Sequence, residues 1–388
     1  MNMQVTLRRS ILLGLLATLI GSFGTRQLSA SEKDAKADGR AAQYRRVVDK
    51  AVEYLRLQGQ SADGAFSGKV GTGPTALVIN GLLSVGVSDK DPMIEKAIQF
   101  ILSNVRNDGG IYAESSRHHN YDTCIALAAL AKANKQGRFD KQIKAATAYL
   151  IKIQWDADEG KDPSDTFYGG SGYDSKGRPD LSNTSFLIET LREAENEAEN
   201  DADREAIQAS IQAAMIFVSR CQNLEGPMNT TPNAAKVNDG GFYYTAAGEG
   251  ESKAGADNAT GGLRSYGSMT YAGLKSMIYA GVDRNDYRVK AAVEFLRKNY
   301  AVDVNPGMGK SGLFYYYHTM AKALEAFGET EFKDAQGLSH NWKNELLDKL
   351  AAQQQSNGSW VNSDPRWMEG DPNLVTGYGL LALAMCKP

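Results

Sequence analysis

Cysteine is scarce in this 388-residue chain, and odd in number. Cys124, Cys221 and Cys386 lie far apart. That excludes a disulfide framework and predicts at least one buried free thiol. No CxxC and no His/Cys cluster is present, so no metal and no cofactor is expected. Basic blocks are missing too. Lys and Arg number 43 against 46 Asp and Glu, a net charge of −3, which argues against nucleic acid as a partner. After the first thirty residues no apolar run is long enough to span a bilayer.

Those first thirty residues differ from the rest. Arg8 and Arg9 precede an uncharged run from Ser10 to Phe23, and Leu28-Ser29-Ala30 offers small residues for cleavage. Residues 1–30 therefore read as a signal peptide, and the chain as secreted or periplasmic. Leu7 stands where a Tat signal would carry Ser or Thr. Cleavage removes three arginines and no acid, taking the net charge from −3 to −6. Residues 31–43 are polar and read as a frayed leader.

From Tyr44 to the end the chain reads as one domain built on a repeat of about fifty residues. Each unit holds an amphipathic helix, a Gly-rich turn with an aromatic, and a more apolar helix. The turns are Asp63-Gly64-Ala65-Phe66, Asp108-Gly109-Gly110-Ile111-Tyr112, Gly169-Gly170-Ser171-Gly172-Tyr173, Asp239-Gly240-Gly241-Phe242-Tyr243, the looser Lys310-Ser311-Gly312-Leu313-Phe314, and Asn357-Gly358-Ser359-Trp360. Glycine supplies the positive φ of a reversal. Before the turns an aromatic or Leu is followed by Gln or Asn: Tyr54 with Gln58, Phe100 with Asn104, Tyr149 with Gln154, Phe217 with Gln222, Phe295 with Asn299, Leu350 with Gln354. After them, Thr75, Thr123, Thr184, Thr270 and Thr376 each precede Leu or Met by seven residues, two helical turns on one face. The helix around Tyr317 to Phe327 does not fit this pattern.

Six helix pairs without a strand pattern imply an all-α fold. Apolar helices such as Thr123 to Leu130 should be inner, and charged ones such as Pro92 to Val105 and Asn285 to Tyr300 outer. An open array needs polar caps, yet the last helix ends LLALAMCKP. Closure into an α6/α6 toroid buries it. Two stretches depart from the repeat: charged residues at about 192–206, and a polar excursion at about 223–265. The excursion either gates one rim of the ring or is a surface loop without a role.

The aromatic, Gln and Gly-x-Trp arrangement resembles the QW repeats of squalene–hopene cyclases. From about Tyr44 to Cys386 the chain looks like the terpenoid cyclase and protein prenyltransferase superfamily, which implies a twelve-helix barrel with a central cavity. Squalene–hopene cyclases initiate chemistry with Asp-x-Asp-Asp-Thr before an inner helix. The matching stretch here is His119-Asn120-Tyr121-Asp122-Thr123. The final Asp is Asp122, the one candidate catalytic residue, and Tyr121 occupies the proton donor's position. Tyrosine is too weak an acid to protonate an alkene. Asp122 reads first as an N-terminal cap or dipole partner of the inner helix, ahead of any catalytic role. Tyr316-Tyr317-His318-Thr319 resembles the zinc-ligating His segment of prenyltransferase β subunits. The preceding inner helix, Arg264 to Thr270, lacks the Asp-x-Cys that would complete the site, so no zinc is expected.

The remaining candidates are aromatic. Tyr121, Tyr266, Tyr271, Tyr316, Tyr317, His318 and Tyr378 are the expected ligand-binding residues, because aromatic faces pack on apolar chains and stabilise cations. Successive residues Tyr315 to Tyr317 turn about 100° apart on a helix, so they cannot all face the cavity. Lys275 and Arg264 are candidates for a diphosphate. The sequence thus predicts an exported toroid that binds an elongated apolar or isoprenoid-like ligand in a central cavity, with chemistry on that ligand left open. Alternatives are a non-catalytic interaction scaffold, or a carbohydrate-active toroid with Asp122 paired to Asp180 or Asp371.

Overall fold

A computed structural model describes residues 30–174 and 176–388; the expected signal peptide lies almost wholly outside them. The helices are α1 (Ala30–Tyr54), α2 (Gly73–Ser84), α3 (Pro92–Leu102), α4 (His119–Ala133), α5 (Asp140–Lys152), α6 (Leu181–Glu195), α7 (Asp201–Arg220), the short α8 (Ala234–Val237), α9 (Gly267–Tyr279), α10 (Tyr287–Lys298), α11 (Leu313–Phe327), α12 (Trp342–Gln353) and α13 (Pro372–Met385). A hairpin of β1 (Glu331–Lys333) and β2 (Ser339–Asn341) precedes α12. The sequence reading missed this hairpin. Its turn is made by Asp334, whose carboxylate accepts from the amides of Gln336 and Leu338, and by Gly337 at φ 81°.

Six helices form an inner ring in which α2 packs on α4, α4 on α6, α6 on α9, α9 on α11, α11 on α13, and α13 back on α2. Inner helices are buried nearly all round: ten of the fifteen residues of α4 are buried. Outer helices bury one stripe, as α3 does with Met93, Ile94, Ala97, Ile98 and Ile101. The fold is the expected α/α toroid.

The repeat signals have physical causes. Each threonine of the expected series accepts, through Oγ1, the backbone amide of the turn before it: Phe66 to Thr75 (2.9 Å), Ile111 to Thr123 (3.0 Å), Ser171 to Thr184 (3.0 Å), Phe242 to Thr270 (3.0 Å) and Trp360 to Thr376 (3.2 Å). A buried amide left unpaired is costly, so the hydroxyl holds turn to helix. Glutamine then ties four of the six turns to the next outer helix. Gln154 Nε2 donates to the carbonyls of Gly169 and Ser210, and Gln222 Nε2 to those of Gly240 and Arg288. Gln354 Nε2 donates to Gly358 and, at 2.9 Å, to Val47 on α1, which closes the ring. In the first unit this role belongs to Gln60, which reaches Gly64 and Met93, and not to the exposed Gln58. Asn104 and Asn299 bond back to their own helices instead. Asparagine is one methylene shorter than glutamine.

Three polar segments join the repeat. The end of the polar leader is tied down: Arg40 and Gln43 bond to Asp348 on α12. The charged run 192–206 is the junction of α6 and α7, where Asn200 caps α7 by accepting from the amide of Asp203 (2.9 Å). The 223–265 excursion folds over one end of the ring. There the Leu181 amide donates to the Tyr244 carbonyl (2.8 Å), and Thr245 Oγ1 to the Pro179 carbonyl (2.6 Å).

Candidate functional site

The inner helices all begin at the same end of the ring, and between those ends lies a cavity of about 230 Å³. Six helix N-termini, each with unpaired amides and a positive dipole end, converge there. Acidic and amide side chains answer most of them. Asp180 and Asp371 cap their own helices, α6 and α13. Asn305 Oδ1 accepts from the Ser268 amide on α9 (3.0 Å). Glu369 Oε1 accepts from Tyr315 N (2.8 Å), and its Oε2 from Phe314 N (3.2 Å) on α11. Asp122, at the start of α4, accepts from Gly73 N on α2 (3.0 Å) and from Ser116 Oγ (2.7 Å). The cap reading of Asp122 therefore holds for a neighbouring helix, not for its own. Burial raises the carboxyl pKa values of Asp122 and Glu369 above the ordinary range, and these hydrogen bonds oppose the rise.

Of the expected site residues, Asp122, Tyr121, Tyr266 and Tyr378 line this cavity. Tyr271, Tyr316, Tyr317 and His318 do not. Tyr316 turns outward and donates to the Ala301 carbonyl (2.5 Å), Tyr317 to the Val302 carbonyl (2.9 Å), and Tyr271 packs on Tyr316 at 5.7 Å between centroids. They build the wall. The residue of this helix that faces the cavity is Tyr315, as the 100° turn between neighbours requires. His318 lies one turn deeper. Its ring stacks below Phe186 (6.3 Å) and tilts against Tyr378 (5.6 Å), and Nδ1 has no partner. Burial holds its pKa well below that of a free imidazole.

Beneath Phe186 the ring is filled. Lys275 Nζ meets Glu189 Oε2 at 2.5 Å, and Lys322 pairs with the other oxygen of Glu189. Burial pushes the Lys275 ammonium down to about 7, against the pull of the Glu193 carboxylate. Lys275 and Arg264 are absent from the cavity wall, so the diphosphate expectation for them fails. The cavity is a blind pocket closed by Phe186 and the ion cluster. A second hollow of about 20 Å³ lies at the far end, beside His318, Glu193 and Lys322.

The sequence reading did not reach Tyr173, Phe186, Tyr244, Lys253, Trp367 and Glu369, all of which line the cavity. Phe186 lies two residues after Thr184, where the inner-helix pattern could have flagged it. The others sit in irregular segments. Trp367 and Met368 are consecutive residues at φ 54° and 65°, a conformation that bulky side chains rarely adopt. Trp367 is 42% exposed at the rim, with the Arg366 guanidinium 4.3 Å from its ring centroid.

Among the described residues no group of three or more His, Cys, Asp and Glu side chains could hold a metal. No described helix is long and apolar enough to cross a membrane. The three cysteines are free and buried.

No family model and no curated protein matches the chain. Solved structures do. The type II terpene cyclase MstE from Scytonema is similar with a TM-score of 0.51 at 13% identity, over 90% of this chain and 99% of that one. The family 76 glycoside hydrolase (mannosidase) Bt3792 from Bacteroides thetaiotaomicron gives 0.50 at 13% identity, over 90% and 98%. A family 76 glycoside hydrolase from a bovine strain of that species gives 0.51 at 11%, over 87% and 77%. At such identities the shared property is the toroid fold.

Proposed function

We propose that this chain is an exported toroid that binds an elongated apolar or isoprenoid-like ligand in its blind cavity. The observation that carries the reading is the wall itself. Eight aromatic side chains line the cavity, and on the floor side their hydroxyls are spent within the protein. Tyr121 Oη and Tyr378 Oη lie 3.0 Å apart, and Tyr315 Oη accepts from Ser182 Oγ (3.0 Å). What these residues offer a ligand is ring face, and apolar surface removed from water contributes about 25 cal/mol per Å². In support, the toroid of MstE from Scytonema is described with geranylgeranyl dihydroxybenzoate as substrate.

The reading is binding rather than acid-initiated cyclisation. Tyr121 occupies the donor's position, and burial raises its hydroxyl pKa well above that of free tyrosine, so it keeps its proton. Asp122 has both oxygens engaged, by Gly73 and Ser116.

Glycoside hydrolysis is a second reading with one observation in its favour: Asp122 and Glu369 line the same cavity. Asp180 and Asp371, the partners expected for Asp122, cap helices and do not line it. Both lining carboxylates anchor helix starts, which weighs against a free acid–base pair.

Titration of the purified protein with a fluorescent polyisoprenoid, beside a manno-oligosaccharide, is the test. Saturable binding of the first, weakened by Phe186→Ala, supports the proposal. Hydrolysis of the second, lost in both Asp122→Asn and Glu369→Gln, replaces it with the glycosidase reading.

A further inference from the structure

The cavity wall is chemically two-sided. On the floor and the α2, α4 and α13 side, Phe186 and Leu374 are apolar, and the Tyr121 and Tyr378 hydroxyls satisfy each other. The opposite side is built by the start of α9 and by the excursion folded over the rim. Here Tyr266 and Tyr244 line the cavity; the Tyr244 hydroxyl is directed to the Asp180 carboxylate, whereas that of Tyr266 has no hydrogen-bond partner among the described residues. Tyr266 is 3% exposed and lines the cavity, so its hydroxyl is a donor that a ligand oxygen there can engage. The Lys253 ammonium lines the same side, 4.4 Å from the Tyr244 ring centroid and paired with Glu251.

The backbone holds this side firmly. The Tyr266 amide donates to the Phe242 carbonyl (3.1 Å), and the Tyr244 carbonyl accepts from Leu181 at the head of α6 (2.8 Å). The two hydroxyls are thus presented by elements tied to the inner ring, not by a free loop.

We propose that the ligand is amphipathic: an apolar chain rests on Phe186, Leu374, Tyr121 and Tyr378, and a terminal oxygen accepts a hydrogen bond from Tyr266. This rests on the ligand-binding reading above and adds the chemistry of one end of the ligand. Burial raises the Tyr266 hydroxyl pKa well above that of free tyrosine, so it remains a donor at any ordinary pH. Lys253 adds a positive charge on the same side and makes the site suited to a carboxylate as well as to an alcohol. Both heads share the accepting oxygen.

The test is displacement of a fluorescent polyisoprenoid from the full-length purified protein by three matched ligands: a prenyl alcohol, the corresponding carboxylic acid, and the hydrocarbon of the same chain. The alcohol and the acid are expected to compete about five- to tenfold better than the hydrocarbon, the worth of one net hydrogen bond. In Tyr266→Phe, which keeps the ring and loses only the hydroxyl, that advantage is expected to shrink toward parity, and in Tyr244→Phe, whose hydroxyl is directed to Asp180, it is expected to persist. An acid stronger than the alcohol, with the difference lost in Lys253→Met, identifies the head as a carboxylate. If the three ligands compete equally and Tyr266→Phe matches the parent, the amphipathic inference is overturned while ligand binding stands. If the fluorescent probe itself never binds, both fall together. Thermal melts of the two Phe variants show whether either change has acted through the fold.

Discussion

Asp122 Oδ1 accepts the backbone amide of Gly73 at 3.0 Å, so the acid that heads α4 closes the start of α2. Two inner helices are thereby joined at the cavity wall through one carboxylate. A Cβ at Gly73 would collide with that carboxylate and with the Tyr121 ring, so the close approach requires glycine. Asp122→Ala is expected to lower stability by about 2–4 kcal/mol, because it strands a buried amide and the Ser116 hydroxyl together. Asp122→Asn keeps an acceptor for Gly73 and should lose about half as much. Thermal melts of the two variants measure this. Incubation with squalene should yield no hopene from the parent; robust turnover abolished in Asp122→Asn would make Asp122 the acid after all.

Stability should fall across the acidic range through Asp180. Burial raises its pKa from 3.8 to about 6, opposed by its hydrogen bonds to Asn183. A raised carboxyl holds its proton in the folded state while the unfolded chain has released it. The contribution is therefore present below about pH 4 and lost as pH rises through about 6, a change of roughly 3 kcal/mol at about 1.4 kcal/mol per unit. Asp180→Asn retains an N-cap acceptor for α6. Melts between pH 4 and 7 should show a weaker fall with pH in that variant than in the parent, and identical slopes would refute the assignment.

Tyr315 and Tyr316 are neighbours with opposite duties. Tyr315 lines the cavity, whereas Tyr316 is fully buried in the wall. Tyr316→Ala should cost about 3–5 kcal/mol of stability through the void it leaves. Tyr315→Ala opens onto existing space, should cost less, and should weaken polyisoprenoid binding by about 1–3 kcal/mol. Paired melts and titrations separate the two. A reversed order would place the cavity on the wrong face of α11.

The seam of the ring can be probed at a glycine. Gly358 has φ 93°, and a Cβ there would overlap the Lys50 carbonyl of α1. Gly86 has φ 98° with nothing within 4 Å. Gly86→Ala should cost about 1 kcal/mol, the backbone strain alone. Gly358→Ala carries the overlap as well and should cost about 3 kcal/mol or more. Hydrogen exchange should show the added loss in α1, where Gln354 reaches Val47.

The Arg8–Arg9 pair, the uncharged run to Phe23 and the small residues to Ala30 predict export and a mature start near Ser31. N-terminal sequencing of protein recovered from outside the cytoplasm is the check; an intact Met1 there would overturn it.

The scaffold was legible in the order of residues along the chain. Glycines of the turns, threonines two helical turns before Leu or Met, and Gln154, Gln222 and Gln354 recur because each unit must satisfy the same buried amides and carbonyls, and a requirement met at every unit leaves a periodic trace. The apolar LLALAMCKP end likewise required a covering surface, and α2 supplies it. The face of each cavity tyrosine, the partner of Asp122 and the filling of the ring below Phe186 were decided only in three dimensions. Tyr315, Tyr316 and Tyr317 are identical in type and differ only in angle about α11. Tyr244, Lys253, Trp367 and Glu369 reach the cavity from irregular segments that carry no period. Asp122 could be read as a cap, but the helix it caps lies 49 residues away in the chain, and only the closing of the ring brings that amide to it.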